Sequence, residues 1–199
     1  MRNYDLKDHI PFGSVPLINN LIDKNNVDLK IVDERVTRHG DYRKLLNGVH
    51  KITINKNLNE FRFLITLVHE IAHLEAFKIY GKLIKPHGKE WKFTFQRLML
   101  PLLNPEIFPQ ELLPKVAIHF KNPRASSDSD SILSLALKQY DPPNDKNFIF
   151  EIPMGEKFRL HNGKVFERGK KRVKRFECLE LATGRIYLFN PNAEVKYIK

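Results

Sequence analysis

Thiol chemistry is almost missing from this chain: Cys178 is the single cysteine in 199 residues. That excludes a disulfide framework and any metal site assembled from several thiolates. Long apolar runs are missing as well. Nothing approaches the roughly 18 uninterrupted apolar residues of a membrane span, and the opening Met1-Arg2-Asn3-Tyr4-Asp5 has no apolar signal segment. The expectation is a soluble, cytoplasmic protein with no membrane partner. Acidic residues are in deficit, 23 against 34 Lys and Arg, which leaves a formal net charge of +11. An excess of that size favours acidic partners, nucleic acid foremost, without choosing among them. Apolar residues are not in deficit. At 42% of the chain, with 14 Phe, they exclude wholesale disorder, and the length fits one domain or two small ones.

The charge is uneven. Residues 1–120 carry 18 basic and 13 acidic side chains, residues 121–150 four of each, and residues 151–199 twelve basic and six acidic. The last quarter therefore holds over half of the excess. Composition shifts at the same places: Asn122 to Ser131 is polar and Ser-rich, and Asp141-Pro142-Pro143-Asn144-Asp145 is a second breaker. This reads as a body over 1–120, a polar linker with a short helix near Ile132–Tyr140 over 121–147, and a basic β-rich module over 148–199.

In the body, Val49 to Ile54 alternates with period two and predicts a strand. Asn57 or Asn59 then caps a helix that runs without Gly or Pro from Phe61 to Tyr80 and stops at Gly81. Inside that helix stands His69-Glu70-Ile71-Ala72-His73. Four residues are about one helical turn, so His69 and His73 leave the same face and can share one ion. Zinc suits two imidazoles, and Glu70, about 100° round the helix, stands beside the ion where it can take a proton from a metal-activated water. Arg62, Thr66 and Tyr80 share the histidine stripe, while Leu64, Leu67, Ile71 and Leu74 form an apolar face for the core.

A catalytic zinc needs a third protein ligand. His87, in Pro86-His87-Gly88-Lys89-Glu90-Trp91, follows the helix end by a short loop and is the first choice. Glu90 is its rival, though more simply an exposed helix residue, and His39 and His50 precede the helix. Trp91 and Phe95 would anchor the next helix. His9, His119 and His161 have no metal spacing and read as surface or capping residues.

These residues together resemble the SprT family, bacterial proteins related to the eukaryotic protease Spartan. Its signature is a strand (here Ile52-Thr53-Ile54-Asn55), an Asn-Leu turn (Asn57-Leu58), H-E-x-x-H (His69 to His73) and H-G-x-x-W/F (His87 to Trp91). The resemblance implies an α+β, zincin-like catalytic domain, helices packed on a small sheet with H-E-x-x-H on the central helix. It implies one catalytic zinc on His69, His73 and His87, with Glu70 as general base. The strand carrying His50, Ile52 and Ile54 would be the cleft edge on which an extended protein or peptide substrate pairs through its main chain. Tyr80, Tyr42 and Arg62 are the candidates for oxyanion stabilisation.

Family members often end in a zinc ribbon with two C-x-x-C pairs, and the tail has that rhythm with one cysteine left. Leu160 and Leu181 occupy cysteine positions. A small metal-free ribbon is expected, held by Leu160, Phe166, Phe176, Leu181 and Tyr187 with Cys178 as a core residue, and no second zinc. Six basic residues crowd its hairpin: Arg168, Lys170, Lys171, Arg172, Lys174 and Arg175. They are the expected phosphate contacts for nucleic acid, DNA or RNA, with Phe166 and Phe176 able to stack on bases.

The reading that follows is a zinc metallopeptidase acting on DNA-associated or DNA-crosslinked proteins, cytoplasmic and at the bacterial nucleoid where DNA is its partner, with a monomer favoured and the oligomeric state left open by the sequence. The alternative is a nucleic-acid-binding protein whose zinc site is structural or inactive.

Overall fold

Asn59 marks where the central helix starts. Its side-chain oxygen accepts the Arg62 backbone N–H at 2.9 Å, the bond expected of an N-cap, and the helix α2 runs from there over Glu60–Tyr80. Gly81, at φ 81°, ends it. The computed structural model describes residues 5–35, 38–124 and 130–198. The chain falls into two units, Met1–Ala125 with Ala136–Asp141, and Ser126–Leu135 with Pro142–Lys199. The Ser-rich part of the expected linker lies largely at 125–129, outside the described residues.

The first unit is mixed α+β. Helix α1 (Val15–Asn25) starts on Pro16 and ends at Asn26, whose φ of 50° is the left-handed conformation of a helix stop. Three strands follow: β1 (Val27–Val32), β2 (Gly40–Lys44) and β3 (His50–Asn55). The sheet order is β1-β3-β2, with β3 parallel to β1 and antiparallel to β2. α2 packs on this sheet and α3 (Lys89–Met99) packs on α2. α4 (Leu113–Phe120) completes the body.

The histidine-bearing helix is buried nearly all round. Arg62 and Thr66, which share the histidine stripe rather than the apolar face, are nonetheless only 5% and 8% exposed. Thr66 spends its hydroxyl on the Arg62 carbonyl at 2.8 Å, and Arg62 faces Asp141 at 3.9 Å. The Ala136–Asp141 segment is tied to the same turn. Asn59 donates to the Leu137 carbonyl at 2.9 Å and to Asp141, and Tyr140 sets its ring edge-on to Phe61. Deeper along α2, buried Glu75 accepts from Arg97 of α3 and from Asn25 of α1, so one carboxylate ties three helices together.

The second unit is an antiparallel sheet of six strands in the order β4-β9-β5-β6-β7-β8: β4 (Lys146–Phe148), β5 (Lys157–Arg159), β6 (Val165–Arg172), β7 (Arg175–Glu180), β8 (Ile186–Phe189) and β9 (Glu194–Ile198). It stands where the small ribbon was expected. Helix α5 (Ser131–Lys138) lies across the division of the chain, its Ser134 hydroxyl meeting the Asn192 amide at 3.4 Å. Ile149, Ile152, Phe158, Phe166, Phe176, Cys178 and Val195 form the core. Burial pushes the Cys178 thiol up to about 11, so it behaves as a small apolar side chain. Leu160 is partly buried against that core, but Leu181 is 42% exposed and does not belong to it.

Candidate metal centre

Two turns of local chemistry bring three imidazoles together. His69 and His73 leave one face of α2, as their spacing requires. His87 reaches them from the loop after Gly81, held at a left-handed φ of 58°. A turn closed by the Gly88 N–H on the Lys85 carbonyl, 2.9 Å, fixes that residue. A β-carbon at Gly88 would stand 2.9 Å from the same carbonyl oxygen, so the turn itself calls for glycine there.

The three Nε2 atoms are 3.1 Å (His69–His73), 3.0 Å (His73–His87) and 3.2 Å (His69–His87) apart. Among the described residues this is the one group of three or more potential ligand atoms close enough to hold a metal ion. Burial lowers all three pKa values, with mutual repulsion adding for His69 and His73, and His73 falls to about 4. The rings are therefore neutral at pH 7 and can offer lone pairs. In the tautomer with the proton on Nδ1, each Nε2 offers a lone pair, and three lone pairs aimed at one another are relieved by a cation among them. The triangle they form is close to the roughly 3.3 Å edge of a tetrahedron with zinc–nitrogen bonds near 2.0 Å. The donor set thus fits zinc with one position left open.

Trp91 is the floor of this triangle. Its ring lies 4.6, 5.2 and 4.7 Å from those of His69, His73 and His87, and it is 1% exposed. Phe95 supports His69 from the next turn at 5.4 Å. His119, expected at the surface, is 4% exposed and close enough to depress the pKa of His69. The reason is the stripe Val116, His119, Phe120, spaced as i, i+3, i+4, which turns the histidine inward with α4's apolar face.

Glu70 is 7% exposed and meets the sheet at β2. A β-carbon at Gly40 would lie 2.8 Å from a Glu70 carboxylate oxygen and 2.8 Å from the Thr66 methyl. Burial, with Asp41 adding to it, pushes the Glu70 carboxyl up to about 8 against the opposing pull of Arg35, the Tyr42 backbone N–H and Arg38. A carboxyl poised near neutral pH is suited to taking and returning a proton. Gly40 is the functional residue that reading the sequence missed. Its one signal was a glycine inside a strand, which often marks a close approach.

The expected substrate strand needs correction. β3 is flanked on both sides, by β1 and β2, so its main chain has no free edge on which a substrate could pair. Ile52 and Ile54 are fully buried beneath α2, and His50 is half-buried on the same face. β3 pairs in both directions because β1 returns parallel beside it, a long-range choice that alternation within residues 49–54 cannot reveal. Among the described residues, β2 is the free edge nearest Glu70. Of the oxyanion candidates, Arg62 is buried towards Asp141 and Tyr80 is exposed at the helix end. Tyr42 is half-buried on β2, its hydroxyl 2.9 Å from His50 Nδ1. Glu90 is on α3, outside the histidine group.

In the second unit the six cationic residues lie on the β6–β7 hairpin. Arg168 stacks its guanidinium 4.1 Å from the centre of the Phe176 ring, on the core side of the sheet. Lys171 approaches the same ring at 6.0 Å, and Arg172 is paired with Glu177. Lys170, Lys174 and Arg175 are exposed.

Residues 18–120, just over half of the chain, match the SprT-like family. Curated proteins named Protein SprT from Pseudomonas fluorescens (strain SBW25) and Pseudomonas aeruginosa (strain LESB58) are each 45% identical over 31 residues, 16% of this chain. The match covers only 19% of either relative's length. No solved structure matches the chain significantly. No helix among the described residues is long and apolar enough to cross a membrane.

Proposed function

This chain belongs to the SprT-like family, and from that premise we propose that it is a zinc-dependent metallopeptidase acting on proteins held on DNA. The observation that carries the reading is the convergence of His69, His73 and His87 to within 3.2 Å beside a buried Glu70. A purely structural three-histidine site would have no use for that carboxylate.

His69, His73 and His87 would hold the zinc. When bound, the ion supplies Lewis acidity, polarising a peptide carbonyl and making a water molecule acidic near neutral pH. Glu70 takes the proton from the attacking water. The wall at Gly40 and the Tyr42 N–H fix the direction in which the carboxylate faces. The same carboxyl then returns the proton to the departing amine, so one residue serves as base and then acid. Trp91 shields one side of the imidazoles from water and holds their rings in place. The substrate backbone lies along β2, the free edge beside Glu70.

DNA is the proposed second partner, met by the exposed cations of the β6–β7 hairpin and favoured by the +11 net charge. Arg168 has a different part, stacked on Phe176 to brace the hairpin.

The test is cleavage of an unfolded protein substrate, with and without DNA, by zinc-loaded wild type and Glu70→Gln. The reading predicts that wild type cleaves and that the variant keeps its zinc but loses cleavage. Equal cleavage by both would remove Glu70 from its role. DNA binding without cleavage by either would favour the nucleic-acid-binding alternative.

A further inference from the structure

The strand β2 runs beside α2 in a fixed register. Its even-numbered residues face the helix: Gly40 stands against Thr66 and Glu70, and the Lys44 ammonium lies 5.0 Å from the centre of the Phe77 ring. Four strand residues span about 13 Å. Seven helix residues, from Glu70 to Phe77, span about 10.5 Å. Tyr42, midway along the strand, therefore comes level with the turn that carries His73. Phe77 is one turn beyond His73 on the same helical stripe.

We propose that Tyr42, Lys44, His50 and Phe77, with Lys78 behind them, form a subsite for an acidic side chain of the polypeptide laid along β2. This deepens the peptidase reading and rests on it.

The walls are aromatic. Tyr42 and His50 stack nearly parallel with centroids 5.9 Å apart, and Phe77 meets His50 edge-on at 6.4 Å. Such faces suit the methylenes of a Glu or Asp. The Tyr42 hydroxyl and His50 Nδ1 are 2.9 Å apart and share one hydrogen bond. Whichever of them donates, the pair keeps one donor: His50 Nε2–H in one arrangement, the Tyr42 O–H in the other. Burial pushes the Tyr42 hydroxyl up to about 12, so it stays protonated.

The charge in this cluster is all of one sign. Lys78 is held in place by the Asn25 side-chain oxygen at 3.1 Å, and both Lys78 and Lys44 depress the pKa of His50, after burial. Among the described residues neither lysine has a carboxylate partner. Glu70 faces the Gly40 end of β2 and the Tyr42 backbone N–H, and the other nearby acids are engaged elsewhere. Asp41 alternates to the other face of β2 and is held by Arg38 and Arg43, while Glu75 is held by Arg97 and Asn25. A ligand carboxylate would find an ammonium, a neutral donor and an apolar wall. A lysine or arginine in the same place would meet two like charges. A polypeptide is favoured over a nucleic-acid phosphate because the cluster opens beside the strand edge that leads to Glu70.

The experiment uses quenched fluorescent peptides that differ by Glu, Ala or Lys at one position at a time around the cleaved bond. Cleavage is followed with the zinc-loaded protein, and binding to the Glu70→Gln protein by anisotropy of the same labelled peptides. At one position Glu should exceed Lys by about five- to tenfold in kcat/KM and in affinity, with Ala between. Lys44→Glu should reverse the order of the Glu and Lys peptides. Flat preferences at every position on an enzyme that cleaves all the peptides would overturn the subsite and leave the peptidase standing. Failure to cleave any of them would overturn the peptidase reading and the subsite with it. A short DNA oligonucleotide that displaces the Glu peptide, and no longer does so in Lys44→Glu, would give the cluster to phosphate and overturn its assignment to a polypeptide acid.

Discussion

Gly40 and Glu70 are in mutual contact, so that any β-carbon at position 40 would stand 2.8 Å from the Glu70 carboxylate. A residue on an edge strand thereby sets the position of the proposed base on the helix. Gly40→Ala should displace that carboxylate without touching a histidine. Cleavage should fall by about a hundredfold, the cost of a misplacement near 1 Å. Zinc content by mass spectrometry should be unchanged, which separates this effect from loss of the ion.

Trp91 touches all three imidazole rings from a fully buried position. Trp91→Ala should cost about 3–5 kcal/mol of stability by leaving a large void. Trp91→Phe keeps most of the floor and should fold well, yet hold zinc about tenfold more weakly, as loosening the surroundings of metal ligands does. Denaturant unfolding and competition with a chromogenic chelator measure the two effects separately.

The metal-free protein should show an unusual pH dependence. Glu70's carboxyl is raised from 4.5 to about 8 on folding, so the folded state holds its proton more tightly than the unfolded chain. Its contribution is fully present below about pH 4.5 and is lost as pH rises towards 8. His73, lowered from 6.5 to about 4, works in the other direction: its contribution is complete above 6.5 and is lost as pH falls towards 4. Chelated Glu70→Gln should therefore melt several degrees above chelated wild type at pH 9. The gap should close towards pH 5, where Glu70 is protonated in the folded protein. Melting curves across that range test the sign.

Much of the candidate metal site was legible in the sequence because its information is local. One helical turn separates His69 from His73, and His87 follows in a short loop bounded by Gly81 and Gly88. For the same reason the sequence narrowed the cap of α2 to Asn57 or Asn59, and the structure has Asn59. What escaped depended on pairing between distant segments. The parallel return of β1 made β3 an inner strand and took Ile52 and Ile54 out of reach of any substrate. The part played by Gly40 could not be seen without the register that puts β2 over Glu70. The burial of Arg62 and Thr66 does not follow from a helical wheel, which sets them off the apolar face, because their cover comes from elsewhere, Arg62's from Asp141, 79 residues downstream.

On the β6–β7 hairpin, reversing Lys170, Lys171 and Lys174 to Glu should weaken DNA binding and flatten its salt dependence. Each lost phosphate contact should reduce the slope of log affinity against log salt by about 0.7–0.9. Arg168→Gln, by contrast, should lower the melting temperature, because that guanidinium is stacked on Phe176. Fluorescence anisotropy at several salt concentrations, beside thermal melts, distinguishes a surface contact from a brace.

Zinc stoichiometry measured together with peptide cleavage tests the central claim most directly. Protein stripped by a chelator should be inactive, and cleavage should return in proportion to added zinc and saturate at one ion per chain. His87→Ala should bind less zinc and recover little. Full cleavage by the stripped protein, or full zinc retention by His87→Ala, would contradict the account.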